Sequence, residues 1–186
     1  DEGLRDMSTG REGMKCVGRE NPGVKVFIEK GMDWLHSLDL VNVVNLGGNS
    51  IDDYMQGLKI LDEVGRDILE LNISCPNVKA GGMNFGVKTE FARDIVKKAR
   101  AVCKHKMVVK LSPNAEDIVS LAKACEDEGA DGISLVNTFL ALAIDLPKRK
   151  SVFENGYAGL SGPAIKPIAL RMVNQVAKAV KIPVMG

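Results

Sequence analysis

Aromatic residues are scarce, at 4% of the chain. That disfavours an aromatic-rich β-sandwich and leaves few rings on which nucleic-acid bases could stack. Neither sign of charge is in excess: 25 basic residues face 24 acidic ones, a net charge of +1. No global field points to nucleic acid or an anionic membrane surface, although a local positive pocket for a small anion is compatible with this balance. No apolar run reaches membrane-spanning length, and the opening residues Asp1 to Asp6 do not read as a signal sequence. Cys16, Cys75, Cys103 and Cys125 are widely and irregularly spaced, with no CxxC pair. That pattern points to free thiols in a reducing compartment, not to a disulfide framework or zinc site, and a cytoplasmic location is expected. A GxGxxG turn is also missing, which argues against a dinucleotide-binding doubly wound sheet.

What is present is an ordinary apolar fraction, 45% of 186 residues, arranged in alternating periods. Residues 1 to 20 are Gly-rich and charged without a period, and read as a loop or the tail of another element. Asn21-Pro22-Gly23 opens a helix to about Leu38, with Trp34 as its apolar anchor. Strands are expected at 41–47, 68–73, 107–111 and 132–137, with another beginning at Ile182. Helices are expected between them: Asp52 to Val64 (Tyr54, Leu58 and Leu61 inward), Thr89 to Lys104 (Phe91, Ile95, Ala99 and Val102), Glu116 to Glu128 (Ile118, Leu121, Ala122 and Cys125) and Pro163 to Val180 (Ile165, Ile168, Ala169, Met172, Val173, Val176 and Val180). The stretch from Asn137 to Gly162 is long and lacks helical pattern, so it reads as a binding loop, with 142–145 and 151–153 able to pair as a hairpin.

About five parallel strands fit either a doubly wound sheet or a TIM barrel. Polar residues decide. Asn45, Asn72, Lys110 and Asn137 each sit at or near the C-terminal end of an expected strand, where a barrel gathers its chemistry. The fold class expected is therefore an incomplete TIM (β/α)8 barrel, roughly strands 3 to 7, with residues 1–186 as one partial domain. Five strands leave an open edge, and the start and stop of the chain read as truncation.

Several residues can do chemistry. Cys75 follows a strand and precedes a proline, so its thiol can serve as a base or nucleophile, or simply fill a strand end. No metal site is expected around it. Asn72, Asn77 and Asn137, with Thr138, offer paired donors and acceptors suited to a planar amide or imide, or else cap strand ends. Lys110 interrupts an apolar strand and needs a carboxylate or an electron-rich cofactor, unless it snorkels to the barrel end. Gly81, Gly82 and Gly86, and the turn Gly159-Leu160-Ser161-Gly162 before a helix, can approach a flat ring or phosphate.

The segment ELNISCPNVKAGGMNFG (70–86) resembles the signature of the family 1 dihydroorotate dehydrogenases, in its NAD-linked form. VVKLSPN (108–114), DGISLVNT (131–138) and YAGLSGPAIKPIALRMV (157–173) match the same family in the same order, so that the resemblance covers roughly residues 13 to 186. It implies oxidation of dihydroorotate to orotate in pyrimidine (UMP) biosynthesis, with FMN as cofactor. Cys75 would be the general base; Asn72, Asn77, Asn137 and Thr138 would bind orotate; Asn45, Lys110, Ser161 and Gly162 would lie along FMN. It also implies a homodimer and a partner subunit carrying FAD and a 2Fe-2S cluster that delivers electrons to NAD, with no nucleic-acid or membrane partner. Where the family carries a loop like MLNxIGLxNPG, this chain reads MKCVGRENPG (14–23). Lys15 stands at the expected substrate asparagine and Arg19 at a leucine, which keeps open a related dihydropyrimidine dehydrogenase-like substrate or a noncatalytic barrel. Two family strands before this segment, and a phosphate-binding turn and last strand after it, are expected outside it, so the segment alone should bind FMN poorly.

Overall fold

The computed structural model describes residues 6–8, 13–15, 23–65, 67–74 and 88–186. The elements run β1 (Asp6–Ser8), β2 (Gly13–Lys15), α1 (Val24–Phe27), a π-helical turn (Ile28–Met32), α2 (Asp33–His36), β3 (Val43–Leu46), α3 (Ile51–Val64), β4 (Ile68–Asn72), α4 (Thr89–Val102), β5 (Lys106–Lys110), α5 (Ile118–Asp127), β6 (Gly132–Ser134), β7 (Phe139–Leu142), β8 (Ile144–Asp145), β9 (Lys150–Ser151), β10 (Tyr157–Ser161), α6 (Lys166–Ala177) and β11 (Val184–Met185).

β3, β4, β5, β6 and β11 form a parallel sheet in that spatial order, each strand beside the next one of the set in the chain. The connecting helices pack in the same sequence, α3 on α4, α4 on α5 and α5 on α6. A doubly wound sheet reverses strand order and divides its helices between two faces. Here neither happens, and the arrangement is that of an arc of a β/α barrel.

The sheet's two faces differ in kind. Val44, Leu46, Leu69, Leu71, Met107, Val109 and Ile133 point at the helices and join one buried cluster with Tyr54, Leu58, Leu61, Ile95, Ala99, Leu121 and Cys125. Burial pushes the Cys125 thiol up to about 12, so it behaves as a small apolar side chain. Alternate positions (Asn45, Glu70, Asn72, Lys110 and Ser134) face the opposite, concave side. Helix entry is fixed by local capping. The Ser50 hydroxyl accepts from the Asp53 N–H at 3.1 Å while the Asp53 carboxylate accepts from the Ser50 N–H at 3.2 Å, a reciprocal box that starts α3. Asp117 accepts from the Val119 N–H at 2.9 Å and starts α5.

Four expectations from sequence need correction. Trp34 does not anchor its helix: it is 64% exposed, whereas Met32 is buried and Val24, Phe27 and Ile28 lie against the core. By regular α-helical spacing Trp34, seven positions after Phe27, would share its face; the π-helical turn at Ile28–Met32 lies between them and shifts the register, which carries Trp34 off the inner stripe. The opening segment is not featureless, since β1 and β2 form an antiparallel ribbon completed by β10 and β7. The stretch after Asn137 does contain the expected hairpin, as β8 and β9, but β7 and β10 bracket it as a second, smaller sheet. On α6, Val176 is buried as expected, while Ile168 is exposed.

The N-terminal rim of the parallel sheet is held by carboxylates. Asp131 accepts from the Met107 N–H at 2.9 Å and pairs with Arg100 at 2.9 Å and Lys106 at 3.0 Å, tying α4, β5 and β6 together. Glu126 accepts from the Lys181 and Ile182 N–H groups at 2.6 and 3.1 Å, seating the chain before β11. Partial burial raises the Asp131 pKa, but the Met107 N–H, Lys106 and Arg100 outweigh it, and the net direction is downward. A depressed carboxyl stabilises the fold above its unfolded pKa of 3.8 and loses that contribution as pH falls through the lower folded value. Asp131→Asn should therefore flatten the acid limb of a plot of Tm against pH. A variant that keeps the wild-type acid limb would show that other carboxyls set it.

Candidate active site

The concave face carries a connected polar network at the C-terminal ends of the parallel strands. On β3, the Asn45 amide donates to Glu70 Oε2 on β4. Asn72, two residues on, donates from Nδ2 to Asn45 Oδ1 at 3.3 Å. Its own Oδ1 accepts twice, from the Ser74 N–H at 3.2 Å and the Ser74 hydroxyl at 2.7 Å. Ser74 Oγ in turn accepts from Asn137 Nδ2 at 2.7 Å, and Asn137 Oδ1 accepts from the Thr138 N–H at 2.8 Å. The remaining Glu70 oxygen, Oε1, accepts from Ser134 Oγ of β6 at 2.7 Å. Lys110 Nζ lies 3.8 Å from Glu70 Oε2, an ion pair too long for a hydrogen bond.

Backbone donors settle how each amide is turned. The Ser74 N–H can only donate, so Asn72 presents its oxygen there and its nitrogen to Asn45. Asn45 then presents nitrogen to Glu70. The Thr138 N–H fixes Asn137 in the same way. With the Asn72 oxygen accepting twice, what it offers a ligand is a second N–H. Asn45 has a second N–H as well, and among the described residues the Lys110 ammonium has no hydrogen-bonded partner closer than its 3.8 Å ion pair. The face therefore has N–H donors to spare, beside one remaining acceptor position on each of the Asn45 and Asn137 oxygens, and suits a ligand that carries carbonyl, carboxylate or ring-nitrogen acceptors.

Supporting groups hold this geometry. The buried Tyr54 on α3 donates its hydroxyl to the Asn72 carbonyl at 2.7 Å. Asn114 donates to the Thr138 carbonyl at 3.2 Å and accepts from the Leu140 N–H at 3.1 Å, clamping the chain as it leaves the sheet. Thr138 also lies against β10: a Cβ at Gly159 would meet Thr138 Oγ1 at 2.6 Å, so only glycine allows that approach. Ser161 ends β10 on the small antiparallel sheet, and Gly162, at φ 97°, follows it and opens the turn into α6. A separate cavity of about 800 Å³ flanks β3 against α1 and α3; it is lined mainly by apolar groups such as Val24, Phe27 and Leu61, and meets the network only at Asn45.

The structure thus brings Asn45, Asn72, Lys110, Asn137 and Thr138 into one neighbourhood and places Ser161 at the end of β10, with Gly162 just after it. Cys75 and Asn77 lie outside the described residues, as do Gly81, Gly82, Gly86, Cys16 and Arg19; Lys15 is described only as part of β2. Sequence reasoning passed over Glu70, Ser74 and Ser134. For Glu70 the signal was available: it interrupts the apolar strand ILELN as Lys110 interrupts MVVKL.

A parallel β/α arc whose polar groups gather at the C-terminal strand ends defines a barrel-type scaffold. A family model described as dihydroorotate dehydrogenase matches residues 5–186, and the chain belongs to that family. It is 51% identical over 185 residues to the dihydroorotate dehydrogenase B (NAD(+)) catalytic subunit of Petrotoga mobilis, covering 100% of this chain and 62% of the relative. It is 50% identical over 173 residues to the same-named subunit of Alkaliphilus metalliredigens, covering 93% of this chain and 57% of the relative. The chain thus spans about three fifths of the length of these relatives. Among solved structures, an Eimeria tenella dihydroorotate dehydrogenase in complex with ferulenol superposes with a TM-score of 0.65 at 21% identity, over 93% of this chain and 55% of that one, a likeness of fold.

Ser74 is 4% exposed and joins the amide at the end of β4 to the amide after β6. Ser74→Ala should cost about 1–3 kcal/mol, because it leaves the buried Asn72 amide and the half-buried Asn137 amide each short of a partner. Denaturant unfolding should show a lower midpoint with an unchanged slope. An unaltered midpoint would mean that Asn72 and Asn137 are satisfied without it.

Proposed function

We propose that the protein to which this chain belongs oxidises (S)-dihydroorotate to orotate with FMN as its cofactor, and that residues 1–186 form part of an FMN-binding (β/α)8 barrel, roughly its strands 3 to 7. The observation that carries this reading is the amide network that keeps free N–H donors, set beside the Lys110 ammonium at the mouth of a parallel arc. A dihydropyrimidine carboxylate presents ring carbonyls and a carboxylate, which are acceptors that match this set.

The donor set also fits a flavin. Lys110, with no close hydrogen-bond partner among the described residues, and the second Asn45 N–H can both face an electron-rich ring, and Ser161 and Gly162 continue the same wall through Gly159 and Thr138. When bound, FMN supplies the two-electron acceptor that takes hydride from C6 of the substrate. Asn72, Asn77, Asn137 and Thr138 hold the pyrimidine and its carboxylate so that C5 faces Cys75. The Cys75 thiolate takes the C5 proton as the C5–C6 double bond forms. NAD is the final acceptor, as the names of the NAD(+)-linked catalytic subunits support; it is reached through a second subunit with FAD and a 2Fe-2S cluster, which the family resemblance implies. The catalytic chains pair as a homodimer. No helix among the described residues is long and apolar enough to cross a membrane, which is compatible with a cytoplasmic enzyme.

The test is an anaerobic titration of the intact flavoprotein with dihydroorotate. Bleaching of the oxidised flavin band with stoichiometric orotate is expected, and Cys75→Ser should slow it on the order of 10²–10⁴-fold near neutral pH. A flavin that stays oxidised in the wild-type protein would sink the substrate assignment. Reduction at an undiminished rate in Cys75→Ser would remove Cys75 as the base.

A further inference from the structure

Among the described residues, Glu70 is the only acidic side chain on the five parallel strands, and its side chain is 14% exposed. It stands between Leu69 and Leu71, which face the helices, so it projects from the concave side. A carboxylate this sheltered is costly unless donors surround it. It has them from three strands: the Asn45 amide on β3, the Ser134 hydroxyl on β6 and the Lys110 ammonium on β5. These contacts are unequal. Two hydrogen bonds from neutral donors fix the carboxylate, one at each oxygen. Lys110, by contrast, is held at 3.8 Å by charge alone and is 30% exposed. The rigid member of the pair is therefore the carboxylate, and it restrains the ammonium rather than the reverse.

From this we infer that Glu70 is a positioning residue: it anchors Lys110 at the mouth of the sheet and offsets its charge there. With the proposed flavin reading, which this inference rests on for its redox consequence, Glu70 tempers the electron-withdrawing effect of Lys110 and holds the flavin potential below the value the lysine alone would set. The Ser74 and Thr138 N–H groups orient Asn72 and Asn137 independently of Glu70, so its contribution is to charge and lysine placement, not to amide orientation.

Glutamine is a near-isosteric probe. Its oxygen can accept from Asn45 and its nitrogen can donate to the Ser134 hydroxyl, which turns to accept; shape and hydrogen bonds persist and the charge is lost. The experiment compares wild type, Glu70→Gln, Lys110→Met and the double variant in the full-length FMN-loaded protein, by thermal melting and spectroelectrochemistry. Lys110→Met alone leaves a sheltered carboxylate without its counter-ion and should lower Tm by about 4 °C. Adding Glu70→Gln should recover at least half of that loss, a rescue that a purely space-filling role would not give. The midpoint potential should move positive in Glu70→Gln, negative in Lys110→Met, and back towards wild type in the double variant. Absence of rescue overturns the anchoring role, and a Glu70→Gln protein with bound flavin at the wild-type potential overturns the charge offset. If Glu70→Gln does not fold alone, the comparison of Lys110→Met with the double variant still decides the anchoring. Failure of the functional reading shows differently, as wild-type protein whose flavin dihydroorotate does not reduce, and the melting comparison stands regardless of it.

Discussion

Adjacent residues of a β-strand point to opposite faces, and most of this structure follows from that constraint acting on five parallel strands at once. Leu69 and Leu71 must lie under the helices, so Glu70 and Asn72 must face away from them. Met107 and Val109 place Lys110 likewise, Ile133 places Ser134, and Val44 and Leu46 place Asn45. A slip of one residue in β4 would drive Glu70 and Asn72 beneath α3 and α4 and expel two fully buried leucines. Burial of the apolar face therefore does two things. It supplies the main stabilisation, and it delivers carboxylate, ammonium, hydroxyl and amides to one surface in fixed register.

The two ends of the sheet then use polar groups differently. At the N-terminal rim, Asp131 and Glu126 spend their oxygens on backbone N–H groups and on cations, so the chain is stapled and little valence is left over. At the C-terminal end the groups are mostly neutral amides and hydroxyls bonded to one another, each with capacity remaining. A carboxylate clasp suits a structural seam. An amide chain suits a mouth, because a ligand can complete its unsatisfied donors without stripping a full charge of water.

Much of this was readable in the sequence where the period was long enough to see. The helix of Tyr54, Leu58 and Leu61, and that of Ile118, Leu121, Ala122 and Cys125, are buried on the expected faces. The strand-end asparagines were visible because polar residues interrupted apolar runs. What escaped had physical reasons. β1 and β2 are three residues each, too short for any period, and it is β2 that pairs with β10, well over 100 residues distant in sequence. β10 was hidden by its glycines: Gly159, which looked like part of a phosphate turn, is small because Thr138 lies against it. Trp34 misled because it stands seven positions after Phe27, on the same face of a regular helix, whereas the π-helical turn at Ile28–Met32 shifts the register and leaves the inner stripe to Val24, Phe27, Ile28 and Met32. Glu70 was overlooked although Lys110 was not. The two obey the same rule, and each is the other's explanation.

That pairing separates two tasks within the site. Orientation of the amides rests on backbone donors at Ser74 and Thr138, which cannot change protonation state or turn round. The pattern of donors offered to a ligand is therefore fixed by the fold. Charge balance rests instead on one ammonium and one carboxylate carried by neighbouring strands. A substitution at either residue can alter the electrostatic character of the mouth while the hydrogen-bonding template stays in place. In a sheet whose register is dictated by leucines and valines on its other face, such a change leaves the folding pattern untouched, so Glu70 and Lys110 are the positions at which the scaffold can retune its chemistry with least cost to its architecture.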